Sequence, residues 1–185
     1  DDILDAAAQN HTLTHFTHAL FDVQKSMALL HQNSILHHIS FRGCPLSLPV
    51  FTDLCQIITH NTSINMLGLE DTSLTESHWA KLADIWPSNT TLTGLNVAYN
   101  PMGDSAPLFL TAVAQSRSLE SLILTRCQIQ DESADSIAHL LTSGPPLIRL
   151  NLTSNLIGLA GLLLICDALK HNALLRTIHL GYNTF

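Results

Sequence analysis

The sequence predicts an α/β fold: a right-handed solenoid bent into a horseshoe, with parallel strands on its concave face and helices on its convex face. Three observations predict it. One short apolar pattern begins seven times, near Leu13, Leu36, Ile64, Leu92, Leu119, Leu147 and Leu175, at spacings of 23, 28, 28, 27, 28 and 28 residues. Within each copy the first half alternates apolar and polar residues, as a half-buried strand does, and the second half changes to helical spacing. A strand and one helix cannot bury their apolar faces alone, so successive copies must stack, strand beside strand and helix beside helix. Strands pack about 4.8 Å apart and helices about 8 to 10 Å, and this mismatch bends the stack with the sheet inside.

Taken in order, Ile3 to Ala8 look like the helix of a truncated preceding copy, so residues 1–12 read as its remnant or as an N-terminal cap within a single domain, 1–185. The copy at Leu13 is five residues short and carries His18 and Phe21 where later copies have apolar and polar residues, which suits an atypical capping unit. In the next two copies, Phe51, Leu54, Ile57 and Ile58, and then Trp79, Leu82, Ile85 and Trp86, fall at helical spacing. The clearest strands follow in LTGLNVAYNPM, LESLILTRCQI and LIRLNLTSNLI. Helices are expected through Ser136, Ile137, Leu140 and Leu141, and from Leu159 to Leu169, the latter richer in leucine than one buried stripe requires. The copy at Leu175 is incomplete and stops just after its strand.

Two polar columns run through the copies. The ninth position reads Phe21, Cys44, Thr72, Asn100, Cys127, Asn155 and Asn183, pointing inward where the chain turns and frees backbone groups that must be bonded. A structural ladder is the expected role for Cys44, Thr72, Asn100, Cys127, Asn155 and Asn183. Three residues before each strand stand Asn10, Asn33, Asn61, Asn89, Ser116, Gly144 and Asn172, where each helix ends and a left-handed backbone is expected. The same column accounts for three of the four N-x-S/T sequons, which begin at Asn10, Asn61, Asn89 and Asn151. Gly158 and Gly161 are expected where a helix begins close to the sheet.

Composition narrows the function. With 46% apolar and 12% charged residues the chain can bury a continuous core, and its longest apolar stretch, Leu156 to Cys166, is far below the roughly 18 residues that cross a bilayer. No membrane insertion is expected. Fifteen acidic against eight basic residues give a net charge of −7, which opposes nucleic acid. Four cysteines without a C-x-x-C pair suit a reducing compartment. The eleven histidines do not assemble ligands: His15 and His18, or His37 and His38, fall on opposite sides of a strand, although His15 and His38 share a repeat position and should meet across strands. No phosphate loop, H-E-x-x-H helix or G-x-S-x-G elbow occurs, so neither an enzyme nor a cofactor is expected.

The third, fifth, seventh and eighth positions of each copy project from the concave face and form its readable surface. Among them His38, Arg42, Glu70, Tyr99, Arg126, Arg149, Asn151 and Tyr182 are the candidates for contact with a partner, since Tyr supplies contact area at small entropy cost and Arg supplies forked hydrogen bonds. The arginines would otherwise pair with Glu70 or Glu120.

The copies satisfy L-x-x-L-x-L-x-x-N/C-x-L, and with the period, the Asn/Cys column and the full helices the chain resembles the ribonuclease-inhibitor-like class of leucine-rich repeats from Leu13 to Phe185. That resemblance implies a protein-binding scaffold, as seen in enzyme inhibitors, innate immune sensors, actin regulators, a GTPase-activating protein and secreted bacterial effectors. Three roles stay open: a monomeric scaffold gripping one protein, as a cytoplasmic protein or an effector secreted into a host cell; a GTPase-activating or other regulator of a partner enzyme; and the sensing or targeting module of a larger protein.

Overall fold

The computed structural model describes Asn10, residues 14–17 and residues 23–185. Ile3 to Ala8, Leu13, His18 and Phe21, on which the N-terminal expectations rest, lie outside the described residues. Seven strands, β1 (His15–Thr17), β2 (His38–Ser40), β3 (Met66–Gly68), β4 (Gly94–Asn96), β5 (Ser121–Ile123), β6 (Arg149–Asn151) and β7 (Thr177–His179), form one parallel sheet in chain order. Between them run α1 (Val23–Gln32), α2 (Leu48–His60), α3 (Glu76–Ala83), α4 (Ala106–Val113), α5 (Ala134–Ser143) and α6 (Leu159–Lys170). Two short 3₁₀ turns, Gly103–Ser105 and Asp131–Ser133, lead into α4 and α5.

The near-constant period sets the register. Phe16, Ile39, Leu67, Leu95, Leu122, Leu150 and Ile178 align across the sheet as the middle residue of each strand, and those of β2 to β6 are buried. Because strand side chains alternate, in β2 to β7 the two residues flanking the middle one face the other way, onto the concave face. Behind the sheet, Phe51, Leu54 and Ile58 of α2, Trp79 and Leu82 of α3, Phe109 of α4, Ile137 of α5 and Ile165 of α6 join the motif leucines in one core. Trp79 and Phe109 meet edge to face with ring centroids 5.2 Å apart, tying adjacent repeats together. Helix α3 is shorter than its apolar spacing suggests. It ends at Ala83, and Ile85 and Trp86 are buried in the turns that follow, because Pro87 disfavours helix at the residue before it.

The ninth-position residues close the turns after the strands. Asn100, fully buried, donates through Nδ2 to Leu69 O at 2.7 Å, Val97 O at 3.0 Å and Ala98 O at 3.2 Å, while its Oδ1 accepts from Thr72 N and Leu74 N at 3.1 and 3.2 Å. Asn155 repeats the arrangement on Leu124 O, Leu152 O, Cys127 N and Ile129 N. Half-buried Asn183 does so on Leu152 O, Leu180 O and Ile157 N. Each asparagine therefore satisfies its own turn and the preceding one. Thr72 Oγ1 donates to Leu69 O at 2.9 Å and Cys127 Sγ to Val97 O at 3.5 Å, and Cys44 lies buried in the same column.

The column before the strands works differently from the left-handed cap expected of it. Asn61 has φ −73° and ψ 132°, Gly144 has φ −86°, and no residue of this column in the described structure has positive φ. The asparagines instead bend the chain through their side chains. Oδ1 of Asn33, Asn61, Asn89 and Asn172 each accepts from the backbone N–H groups two and three residues ahead, at 2.7 to 3.1 Å, and Ser116 Oγ does the same at 3.3 and 3.2 Å. Nδ2 of Asn61, Asn89 and Asn172 then donates to the previous repeat at Asn33 O, Ile58 O and Leu141 O. Gly144 is required for space, since a Cβ there would strike the carbonyl oxygen of Leu140.

Burial governs the thiols. Cys44, Cys55 and Cys127 are buried and Cys166 is exposed. Desolvation raises the Cys44 thiol and pushes Cys55 and Cys127 from 9.0 up to about 12, with Asp84 adding to the shift at Cys55. Native protein should therefore release one fast-reacting thiol to iodoacetamide, Cys166, and expose the others only in denaturant; fast labelling of Cys127 would contradict the packing. The sign of the pH effect follows. Above about pH 9 the unfolded thiols ionise while the folded ones stay protonated, so the unfolded state binds fewer protons and stability falls as pH rises toward 12.

Candidate functional site

In the copies from Leu36 onward the eighth position turns the chain inward to the ladder, and it does so in the left-handed region: Asp71, Tyr99, Arg126, Ser154 and Tyr182 have φ of 55°, 62°, 56°, 58° and 58°, and Gly43 has 72°. For residues other than glycine this conformation costs about 1 to 2 kcal/mol, and for a bulky side chain it is a true outlier. The turn lifts these side chains onto a rim along the ends of the strands. Tyr99 is 46% and Tyr182 87% exposed, and Arg126 is exposed with its guanidinium carbon 5.5 Å from the Tyr99 ring centroid, a cation–π contact across adjacent repeats. The presence of Gly, Asp and Ser in the same column was the signal in the sequence for its backbone geometry.

Below the rim, the third and fifth positions make two rows across the sheet. One runs His15, His38, Met66, Gly94, Ser121, Arg149, Thr177 and the other Thr17, Ser40, Gly68, Asn96, Ile123, Asn151, His179. His15 and His38 have ring centroids 5.5 Å apart. Exposed Arg149 reaches back across β5, its Nε donating to Ser121 Oγ at 3.4 Å. Half-buried Asn151 bends onto its own strand, where Oδ1 accepts from Thr153 N at 2.9 Å, as Asn96 does from Ala98 N at 3.1 Å. Arg42, at the turn after β2, is exposed, and its N–H meets Ser40 Oγ at 3.4 Å.

Glu70 does not pair with an arginine. Its Oε1 accepts from Asn96 Nδ2 at 2.6 Å, and Oε2, shielded from solvent without a hydrogen-bond partner, lies over Gly68, where a Cβ would come within 2.8 Å of it. Met66 likewise fills the space that a Cβ at Gly94 would need. The two glycines thus let neighbouring side chains lie flat on β3 and β4. Among the described residues no salt bridge joins Arg42, Arg126 or Arg149 to Glu70 or Glu120, and the pairs that form are His31 with Asp53, Lys81 with Asp84 and Lys170 with Asp167.

The structure brings Tyr99 and Arg126 together on the rim after β4 and β5, sets Arg149 separately on β6 against Ser121 of β5, joins Glu70, after β3, to Asn96 of β4, and leaves His38 on β2, Arg42 after β2 and Tyr182 after β7 as other points of the same face. Among the described residues no three His, Cys, Asp or Glu side chains converge as metal ligands, and no helix is long and apolar enough to cross a membrane. On the helical layer, Leu159, Leu163 and Leu164 of α6 are 64%, 61% and 43% exposed.

Comparison with known proteins agrees with this geometry. The family described as Leucine Rich repeat matches residues 88–106 and 115–138. NACHT, LRR and PYD domains-containing protein 4B of Mus musculus is 32% identical over 142 residues, 75% of this chain and 16% of that protein. Protein 14 of the same description from Homo sapiens is 31% identical over 64% of this chain and 11% of its own length. The chain thus spans about a sixth or less of these relatives. Among solved structures, leiomodin-1 actin-binding site 2 superposes with a TM-score of 0.65 at 15% identity, over 83% of this chain and 91% of that one. A TLR13–ssRNA13 complex gives 0.52 at 17% identity, over 97% of this chain and 31% of that one. At these identities the superpositions speak for the fold alone. Seven parallel strands in register, the repeated motif and the matching family together make the chain a leucine-rich repeat protein.

Proposed function

We propose that this chain is a non-catalytic, monomeric recognition module that holds a partner protein on its concave face through Tyr99, Arg126, Arg149 and Tyr182, with His38, Arg42, Glu70 and Asn151 around them. One observation carries the reading: large anchoring side chains, Tyr99, Arg126 and Tyr182, occupy an exposed rim in a left-handed backbone where glycine would cost less. Full helices in every described interval and the Asn/Cys ladder support the ribonuclease-inhibitor-like class, with 1–185 as one domain of repeats. Buried free thiols, Cys127 among them in the ladder, support work in a reducing compartment such as the cytoplasm.

Of the roles open to such a scaffold, the relatives favour the sensing or targeting module of a larger protein, since each matches this chain over only a small part of its length. An effector secreted by a bacterium and a regulator of a partner GTPase are the competing readings. A GTP hydrolysis assay separates the last of them from simple binding. Affinity capture should return a partner that the folded variant Tyr99→Ala, Arg126→Glu, Arg149→Glu loses by more than about tenfold. An identical set of proteins captured by that variant would remove the concave face from the reading.

A further inference from the structure

We propose that the half of the concave face from β4 to β7 receives an acidic linear segment of a partner protein, whose carboxylates pair with Arg126 and Arg149 and whose apolar side chains lie against Tyr99, Ile123 and Tyr182. This rests on the concave-face reading above and adds the chemistry of the partner. The chain carries a net charge of −7, yet that charge is not spread over both faces. Glu76, Asp104, Asp131, Asp135 and Asp167 all lie on the helices or the 3₁₀ turns before them. On the concave positions the acids are confined to Glu70 and Asp71 at β3, and from β4 to β7 the formal charges are Arg126 and Arg149, with His179 beside them. Glu120 stands at the entry edge of β5, and Arg176 at that of β7 offsets it.

The two guanidinium groups are also ready for carboxylates. Neither forms a salt bridge among the described residues; Arg126 rests on the Tyr99 ring and Arg149 on Ser121, contacts that hold each side chain in place and leave most of its five N–H donors for an incoming group. Glu70 is already bonded to Asn96 and closes the acidic end of the face. The segment would therefore run from the tyrosine and arginine rim toward β7 and away from β3. Ile123, half-buried between Asn96 and Asn151 in its row, gives an apolar floor between the arginines.

The test is fluorescence anisotropy with a labelled peptide alternating Glu and Phe, the same peptide with Gln for Glu or Lys for Glu, and a single-stranded oligouridine. The Glu peptide is expected to bind at least about tenfold tighter than the Gln peptide at low salt, and to lose that advantage as salt rises. Arg126→Glu with Arg149→Glu should abolish the preference, and the neutral pair Arg126→Gln with Arg149→Gln should weaken it. Arg117→Glu with Lys170→Glu, the same charge change placed away from the concave face, should leave it intact. Circular dichroism and melting temperature report whether each variant is folded. Equal binding of Glu and Gln peptides, preference for the Lys peptide, an unaltered preference in a folded Arg126→Glu, Arg149→Glu variant, or tighter binding of oligouridine than of the Glu peptide would each overturn the proposal. The concave-face reading is judged separately, by whether the Tyr99, Arg126, Arg149 variant loses the partner caught from cells.

Discussion

Replacing Asn100 by Ala is expected to lower the unfolding free energy by about 4 kcal/mol in urea titration, among the largest effects any single substitution in this chain should have. The side chain makes five hydrogen bonds in a site with no exposure, and its removal strands Thr72 N and Leu74 N in the preceding repeat, while Leu69 O, Val97 O and Ala98 O each lose one of two partners and keep Thr72 Oγ1, Cys127 Sγ and Asp71 N respectively. Each unpaired buried group costs about 1 to 3 kcal/mol, reduced where the turn relaxes or water enters. Asn100→Asp preserves the shape but points a carboxylate oxygen at three carbonyls, so near neutral pH it should be no better than Ala. Asn183→Ala is the control: that residue is half-buried at the edge of the sheet, water can replace its partners, and the loss should stay below about 2 kcal/mol. Equal losses at the two sites would mean that the ladder is not what the interior turns depend on. Because the lesion lies between copies, it should also divide the unfolding transition, as expected when neighbouring repeats uncouple.

Such a ladder is legible in sequence because its members recur at one position of a fixed period, and the same holds for the strand leucines. The apolar spacing of α2 and α5 also reads directly as helix. What the period leaves out is the direction taken by a polar side chain once copies are stacked. Asn61 and Asn89 mark the helix ends in the sequence, but their bonds to the strand ahead and the repeat behind require both neighbours in place. The concave candidates divide in the same way. Their exposure follows from strand alternation, whereas the contacts of Glu70 with Asn96 and of Arg126 with Tyr99 depend on side chains of adjacent strands, far apart in sequence. The left-handed rim was half visible. Gly43, Asp71 and Ser154 tolerate such a backbone, while Tyr99 and Tyr182 in the same column conceal it.

The glycines of α6 give a sharper test of cross-repeat contact. Gly158 and Gly161 suggest a helix start pressed against the sheet, but the group that approaches them is the carboxylate of Asp131 from the preceding repeat. Its Oδ1 accepts from Gly158 N at 2.7 Å and Gly161 N at 3.1 Å, and a Cβ at Gly161 would collide with that same oxygen. Asp131 thereby caps a helix whose own N-cap residue, Gly158, has no side chain to do so, and its negative charge sits at the positive end of the helix dipole. Asp131→Ala should cost about 1 to 2 kcal/mol, the usual worth of a cap. Gly161→Ala should cost about 2 kcal/mol, because it expels the carboxylate while leaving it partly buried. The double variant should then be more stable than Gly161→Ala alone, since the collision is gone and alanine favours helix over glycine by about 1 kcal/mol. If the costs simply add, the obstacle at Gly161 is the Ile157 side chain, whose Cγ2 would lie 3.0 Å from the new methyl, and the approach to the sheet governs this helix after all.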